Sequence, residues 1–486
     1  VTARGLLIAG TSSDAGKSSV TTGLCRVLHR RGIRVAPFKA QNMSNNSMVC
    51  PDGTEIGRAQ YLQAQAARAT PESAMNPVLL KPGSDRRSHI VVRGRPAGEL
   101  ASGEFATGRR HLAQAAFAAY EELAEKYDVV VSEGAGSPAE INLRSGDYVN
   151  LGLARRFDLP VMVVGDIDRG GVLASLYGTV ALLDDADRAL VRAFLINKFR
   201  GDVDLLRPGL DEITRRTGVP FLGVLPWLDG VWLDGEDTLA VGRWASRSAV
   251  DAPDPVLRVA VVRMPRLSNA TDVDALAAEP GVAVSVVDDP VALRSADVIV
   301  LPGSRSTVGD LAWLRRTGLA DEVLRAVAAG TTVVGICGGY QMLGRTIRDG
   351  VESSVAEVDG LGLLPTDVRF AAEKSLGTPS GSWHDETVDG YEIHHGVATV
   401  DDGAEPFLDG CRVGPVWGTM WHGIFENDGF RRRWLAQVAA ERGRATLPAA
   451  GIGYRALRES MIDALADAVE AHVDVDAVIE LIGARG

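Results

Sequence analysis

Gly5-Leu6-Leu7-Ile8-Ala9-Gly10-Thr11-Ser12-Ser13-Asp14-Ala15-Gly16-Lys17-Ser18-Ser19, running on into a helix-like stretch at 18–31, decides the fold of the first half. The apolar run at 5–9 reads as a buried strand, and the small polar residues after it as a loop that feeds a helix N-terminus. Small residues let backbone N–H groups wrap a polyphosphate, and the helix dipole favours its charge. Lys17 would reach terminal phosphate oxygens, and Ser18 can ligate magnesium. Thr11, Ser12, Ser13, Asp14, Ala15, Gly16, Lys17, Ser18 and Ser19 are therefore the candidate phosphate-binding set. The usual spacing, GxxxxGK[ST], puts a glycine at position 11, where this chain has Thr11; its glycine comes one residue earlier, at Gly10.

Outward from that loop, short apolar runs alternate with helix-like stretches, the pattern of parallel sheets covered by helices on both faces. Strands are expected at 35–38, 129–132, 161–164, 192–196 and 221–226, with a second helix at 111–126. Residues 227–255 are rich in Gly, Asp, Ser and Pro without clear period, and after them the pattern restarts with strands at 258–262, 283–287, 298–301 and 332–336. Composition favours β structure and turns between about 350 and 418, then helix from 430 onward. The expected fold is α/β with two doubly wound parallel-sheet domains. A first domain at 1–228 is joined by a linker at 229–255 to a second at 256–440, and a helical extension follows at 441–486.

The chain has 486 residues and a formal net charge of −12, which argues against a general nucleic-acid binder. Cys25, Cys50, Cys337 and Cys411 lack CxxC spacing, so neither a disulfide framework nor a zinc site is indicated and a reducing compartment is expected. No run of about 18 apolar residues suggests a membrane span. These features point to the cytoplasm, with no membrane partner.

Two further constellations carry chemistry. Glu133 follows Val129-Val130-Val131-Ser132 at the carboxyl end of a strand, where a second magnesium ligand is expected beside a phosphate loop. Asp166, Asp168 and Asn197 lie at neighbouring strand ends, where they can face the same crevice or cap turns; the Asn197 amide can read an adenine edge. In the second half, Val333-Val334-Gly335-Ile336-Cys337-Gly338-Gly339-Tyr340-Gln341 puts a cysteine on a tight strand-to-helix turn. Such a turn exposes the sulfur, the helix N-terminus favours the thiolate, and the N–H of Gly338 can meet a developing oxyanion. Gly303, in Pro302-Gly303-Ser304, can offer the second donor. A nucleophile needs a base: His422 is one candidate, and His394 and His395 are rivals.

A phosphate-loop half followed by a cysteine-elbow half resembles the glutamine-dependent amide synthases of the cobalamin pathway. The Gly-x5-Gly-Lys-Ser loop is similar to the variant in dethiobiotin synthetase and its cobalamin relatives. The second half resembles class I glutamine amidotransferases of the cobyrinate type through Leu301-Pro302-Gly303-Ser304-Arg305-Ser306-Thr307, Ile336-Cys337-Gly338-Gly339-Tyr340-Gln341-Met342-Leu343-Gly344 and Trp421-His422-Gly423-Ile424-Phe425. Two sister families share this architecture, the cobyrinate a,c-diamide synthases and the cobyric acid synthases. Phe38-Lys39-Ala40-Gln41-Asn42-Met43-Ser44-Asn45-Asn46-Ser47, Glu133-Gly134-Ala135-Gly136-Ser137-Pro138-Ala139-Glu140-Ile141-Asn142-Leu143 with Gly146-Asp147, and Asp166-Ile167-Asp168-Arg169-Gly170-Gly171-Val172 resemble the second.

The resemblance implies an N-terminal P-loop domain and a C-terminal class I glutamine amidotransferase domain. Glutamine would be hydrolysed at Cys337 with His422 as base, and ammonia would pass to the first domain. There ATP, with Mg2+ on Ser18 and Glu133, would phosphorylate a corrinoid carboxylate that ammonia converts to an amide. Repetition at side chains b, d, e and g of adenosylcobyrinic a,c-diamide would give adenosylcobyric acid. Lys39, Gln41, Asn42, Asn45 and Asp147 would line the corrinoid side, although Lys39 can equally pair with phosphate. Many class I amidotransferases carry a Glu two residues after the histidine, where this chain has Ile424. The third triad member is thus unassigned, with Glu426 and Glu392 as candidates and a Cys–His dyad as the alternative. The competing readings are an a,c-diamide synthase and a non-catalytic P-loop regulatory protein; no motif sets an oligomeric state.

Overall fold

The computed structural model describes residues 4–84, 87–101, 110–232, 256–353, 355–449 and 451–483. The expected linker therefore lies largely outside the described residues. In the first half, strands β1 (Gly5–Gly10), β2 (Val35–Phe38), β3 (Val129–Glu133), β4 (Val161–Asp166), β5 (Val191–Phe199) and β6 (Phe221–Pro226) form one parallel sheet in the order β6-β5-β4-β1-β3-β2. Both faces of this sheet are covered. Leu6 and Ile8 enter one core and Leu7 and Ala9 the other, which is why β1 reads as an unbroken apolar run rather than an alternating one.

The second half repeats the plan with a mixed edge. Strands β7 (Leu257–Val262), β8 (Val282–Val287), β9 (Val298–Leu301), β10 (Thr332–Ile336), β11 (Glu405–Phe407), β12 (Gly410–Val413) and β13 (Val416–Thr419) run in the order β8-β7-β9-β10-β13-β12-β11. β12 and β11 are antiparallel to their neighbours, so this sheet is parallel only from β8 to β13. The chain reversal from β11 through β12 to β13 is a meander, which needs only short turns.

Helices place the sites and tie the halves together. Helix α1 (Lys17–Arg30) follows β1 directly, α2 (Gly338–Leu343) follows β10, and α3 (Asp428–Glu441) packs Trp434, Leu435 and Val438 into the second core. The last two helices, α4 (Tyr454–His472) and α5 (Val475–Ile482), do not stand apart as an extension. They return to the first half, where Ile462, Ala466, Val469 and Val478 join Leu6, Ile8, Leu24 and Leu28 in one core. Arg26, buried on α1, bonds Asp463 at 2.7 Å and Glu459 at 2.9 Å on α4. Among the described residues no helix is long and apolar enough to cross a membrane.

Candidate active sites

The loop between β1 and α1 is held by backbone geometry and one amide. Gly16 has φ +93°, and a Cβ there would lie 1.9 Å from Asn197 Nδ2, so both conformation and space demand glycine. Asn197 Nδ2 donates to the carbonyl of Ala15 at 3.0 Å, so this side chain shapes the loop from β5. Lys17 Nζ curls back onto the carbonyls of Ser12 (2.9 Å) and Gly136 (3.1 Å). Ser18 Oγ donates to Glu133 Oε1 at 2.9 Å, and the same oxygen accepts from Lys39 Nζ at 2.9 Å, while Gln63 Nε2 donates to Oε2 at 2.6 Å. Burial alone would raise the Glu133 carboxyl, but Lys39, with Gln63 and Lys17, holds it below the ordinary range and it is an anion. A hydroxyl and a buried carboxylate side by side at a phosphate loop are the hard oxygen donors that suit Mg2+.

In the second half, β10 delivers Cys337 at φ +50°, a left-handed conformation that costs a non-glycine residue about 1–3 kcal/mol. Its N–H donates to the Thr419 carbonyl on β13 at 2.8 Å, which fixes the turn to the strand that leads into His422. Gly339 lets the turn close, since a Cβ there would sit 1.8 Å from the Leu301 carbonyl oxygen. Gly303 faces the His422 ring, and Gly338 abuts the backbone N–H of Ser304. The two candidate oxyanion glycines thus flank the cysteine turn.

His422 is buried at 1% exposure, and its Nδ1 lies 2.6 Å from Asp272 Oδ2; the other carboxylate oxygen accepts the Gly423 N–H at 2.8 Å. Burial lowers the imidazolium's pKa, but the charges of Asp272 and the Cys337 thiolate, with their hydrogen bonds, carry it up to about 10. The arrangement keeps the His422 proton beside the Cys337 sulfur. Asp272, from the turn after β7, is therefore the carboxylate that His422 faces, where a third triad member would stand. Glu426 is not: burial would raise its carboxyl, but Arg58 (2.6 Å) and Arg458 (2.7 Å) hold it down at about 2. Glu392 is not either, because it faces His394 Nε2 at 3.3 Å.

A narrow, partly open cavity is lined by the Cys337 side chain. Its wall is drawn from both halves of the chain: Cys337, His394, Arg305 and Lys374 from the second, Asn45 and Lys81 from the first. Glu55, fully buried, links Lys81 to Lys374 (2.6 Å), and the carboxyl stays anionic because those two lysines override its burial. Among the described residues Asn45 Oδ1 and His394 Nδ1, both at this cavity, are buried polar atoms with no hydrogen-bond partner.

Sequence comparison agrees with this pairing of sites. A family model described as the CobQ/CobB/MinD/ParA nucleotide binding domain matches residues 6–239, and one described as the CobB/CobQ-like glutamine amidotransferase domain matches 258–430. A protein named cobyric acid synthase from Cutibacterium acnes is 65% identical over 98% of this chain and 99% of its own. Proteins of the same name from Mycolicibacterium gilvum and Streptomyces avermitilis are each 58% identical over 98% of this chain and 96% of their own. The chain belongs to the cobyric acid synthase family. It is a glutamine amidotransferase ligase of cobalamin biosynthesis with a P-loop nucleotide-binding half.

Within this cobyric acid synthase fold the remaining expected residues divide. Gln41 Oε1 accepts from Tyr148 O–H at 2.6 Å and Asn42 Nδ2 donates to Gln60 at 2.9 Å, so both amides brace the segment after β2. Asp147 accepts from the N–H groups of Val149, Asn150 and Gly152 at 2.8–2.9 Å and shapes its own turn. Asp166 pairs with Lys198 at 2.7 Å and Asp168 with Arg200 at 2.7 Å, which satisfies both without the crevice. Asn45 belongs to the cysteine cavity rather than to the phosphate-loop side. His395 Nδ1 lies 3.0 Å from the Ala371 carbonyl and is no base for Cys337.

Proposed function

We propose that this member of the cobyric acid synthase family amidates the b, d, e and g carboxylates of adenosylcobyrinic a,c-diamide to give adenosylcobyric acid, with glutamine as nitrogen donor and ATP as the activating substrate. The observation that carries the reading is a Cys337–His422–Asp272 triad whose cavity is walled in part by the phosphate-loop half. In the glutaminase step, Cys337 Sγ attacks the carboxamide carbon, and backbone N–H groups at Gly303 and Gly338 face the oxyanion. His422 gives its proton to the departing ammonia and then takes one from the water that hydrolyses the thioester.

A carboxylate is a poor acyl donor until one oxygen becomes a phosphate leaving group, and ATP supplies that phosphate. The N–H groups from Thr11 to Ser19 would cradle the polyphosphate, with Lys17 swinging from its carbonyl partners to the terminal phosphate. Ser18 and Glu133 would hold Mg2+, which supplies charge neutralisation on the phosphate oxygens. Asn197 keeps the loop in shape, and the segment braced by Lys39, Gln41, Asn42 and Asp147 forms the corrinoid side. The supply of ATP and glutamine places the reaction in the cytoplasm.

The test is mass spectrometry of adenosylcobyrinic a,c-diamide incubated with the protein, Mg-ATP and either glutamine or ammonia. Four successive carboxylate-to-amide shifts are expected with both nitrogen sources, and with ammonia alone for Cys337→Ala. No shift from either source, or, in a parallel incubation with cobyrinic acid, amidation confined to positions a and c, would overturn the assignment.

A further inference from the structure

Asp272 makes the cysteine and histidine a triad, and it hangs from a short strand and turn at 267–272. At one end Leu267 and Ser268 pair antiparallel with Ser304 and Gly303, the segment that faces the cysteine turn. At the other end is Asp272 itself. Between them Asn269 takes φ +51° and reverses the chain. This hinge is gripped from the other half of the protein. Asn46 Oδ1 accepts from the Ala270 N–H at 3.2 Å, and Asn269 Oδ1 accepts from the Ser47 N–H at 2.9 Å. All four residues are buried, Asn46 and Asn269 at 4% exposure each, so loss of either acceptor would strand a backbone N–H away from water.

The gripping residues belong to the segment that leaves β2 through Lys39, whose ammonium bonds the buried carboxylate of Glu133 beside the phosphate loop. One continuous stretch, 39–47, therefore touches the magnesium-type carboxylate at its start and the hinge of the glutaminase triad at its end. We propose that Asn46 is a positioning residue for glutamine hydrolysis, holding Asp272 and the Gly303–Ser304 segment in register from the phosphate-loop half. The inference rests on the function proposed above.

The full-length Asn46→Ala protein, assayed with Mg-ATP, corrinoid and glutamine, is expected to lose about tenfold or more in kcat for glutamine hydrolysis, the worth of one buried hydrogen bond in the transition state. KM for glutamine should stay within about twofold, and ammonia-driven amidation should be unchanged. The alkaline limb of the glutaminase pH profile should move to lower pH, because a displaced Asp272 no longer supports the His422 proton. Wild-type kcat and pH profile in this variant would overturn the proposal, as would a parallel loss of ammonia-driven amidation. If Asn46→Ala does not fold, Asn269→Gly, which keeps the left-handed turn and removes the bond to Ser47, decides by the same readouts. A wild-type protein that amidates with ammonia but never hydrolyses glutamine would instead refute the assignment of Cys337.

Discussion

Between Cys337 and Asp272, His422 works as a proton store, and its pKa is the sum of opposed terms. Burial removes water from the imidazolium and lowers the pKa, while the carboxylate at 2.6 Å and the thiolate raise it to about 10. Because the folded value lies above the ordinary histidine value, the pair's stabilisation is fully present below about pH 6.5 and is lost as pH rises through about 10. The proton needed by the leaving ammonia is thus in place across neutral pH. Replacing Asp272 by Asn keeps the shape but removes the charge, so the histidine should lose its proton at lower pH and orient less well. The expected result for Asp272→Asn is a fall in glutamine-dependent kcat of roughly 10²–10⁴-fold, a range set by the effect known for the serine-protease aspartate. The alkaline limb should shift down, with ammonia-driven amidation intact. A pH profile of glutamine hydrolysis that keeps its alkaline limb would show that the thiolate alone holds the proton.

The elements that carry these residues differ in how plainly they were written in the sequence. β1, β2, β9 and β10 are apolar runs buried on both faces, so period and composition located them to within a residue or two. The cysteine elbow was legible for a similar reason, because only glycine can stand where α2 meets β9. That reason is testable: in Gly339→Ala the new methyl must displace the Leu301 carbonyl, a rigid strand group rather than a flexible side chain. The cost expected is about 1–3 kcal/mol or more, seen as a lower unfolding temperature and a loss of glutamine hydrolysis greater than the loss of ATP-dependent use of ammonia. The mixed sheet built from Gln41–Met43, Val78–Ser84, Arg87–Val92 and Arg95–Ala101, parallel in its first pair and antiparallel in the others, escaped the reading, since its strands are short or carry Pro, Gly and charge. Asp272 escaped it too. Its role comes from a turn brought beside His422 by the fold, 150 residues away in the chain, with no local motif to mark it. Glu426 and Glu392 looked better by proximity, but two arginines and a histidine had already claimed them.

At the scale of the whole molecule the chain crosses from the first half to the second and then comes back. α4 and α5 follow the amidotransferase core in sequence yet complete the hydrophobic face of the phosphate-loop sheet, with the Asp474 N–H bonded to the Leu222 carbonyl at 2.7 Å. Among the described residues the halves are fastened by this C-terminal brace, the Glu55 bridge, the Arg58–Glu426 pair, the apolar cluster of Val49 with Tyr391 and Ile393, and the Asn46 clasp. The brace is held by apolar contact more than by its ion pairs, because Glu459 and Asp463 are 30% and 42% exposed and such pairs are screened. Val469, at 1% exposure against α1, is the place to break it. Val469→Asp removes the burial of one valine, worth about 1.5–3 kcal/mol, and forces a carboxylate to leave the core or protonate. The part of α4 from about Ile462 onward would detach and uncover Leu24 and Leu28 on α1, while the second core, to which α4 gives Tyr454 at its first turn, would keep its own sheet and helices. Thermal unfolding followed by tryptophan fluorescence and limited proteolysis should then show two steps in place of one, with the phosphate-loop half melting first and cleavage appearing in the first half at temperatures where the Cys337 half resists. A single step at the wild-type temperature would mean that α4 adds nothing to the first core and that the halves are joined only through the site.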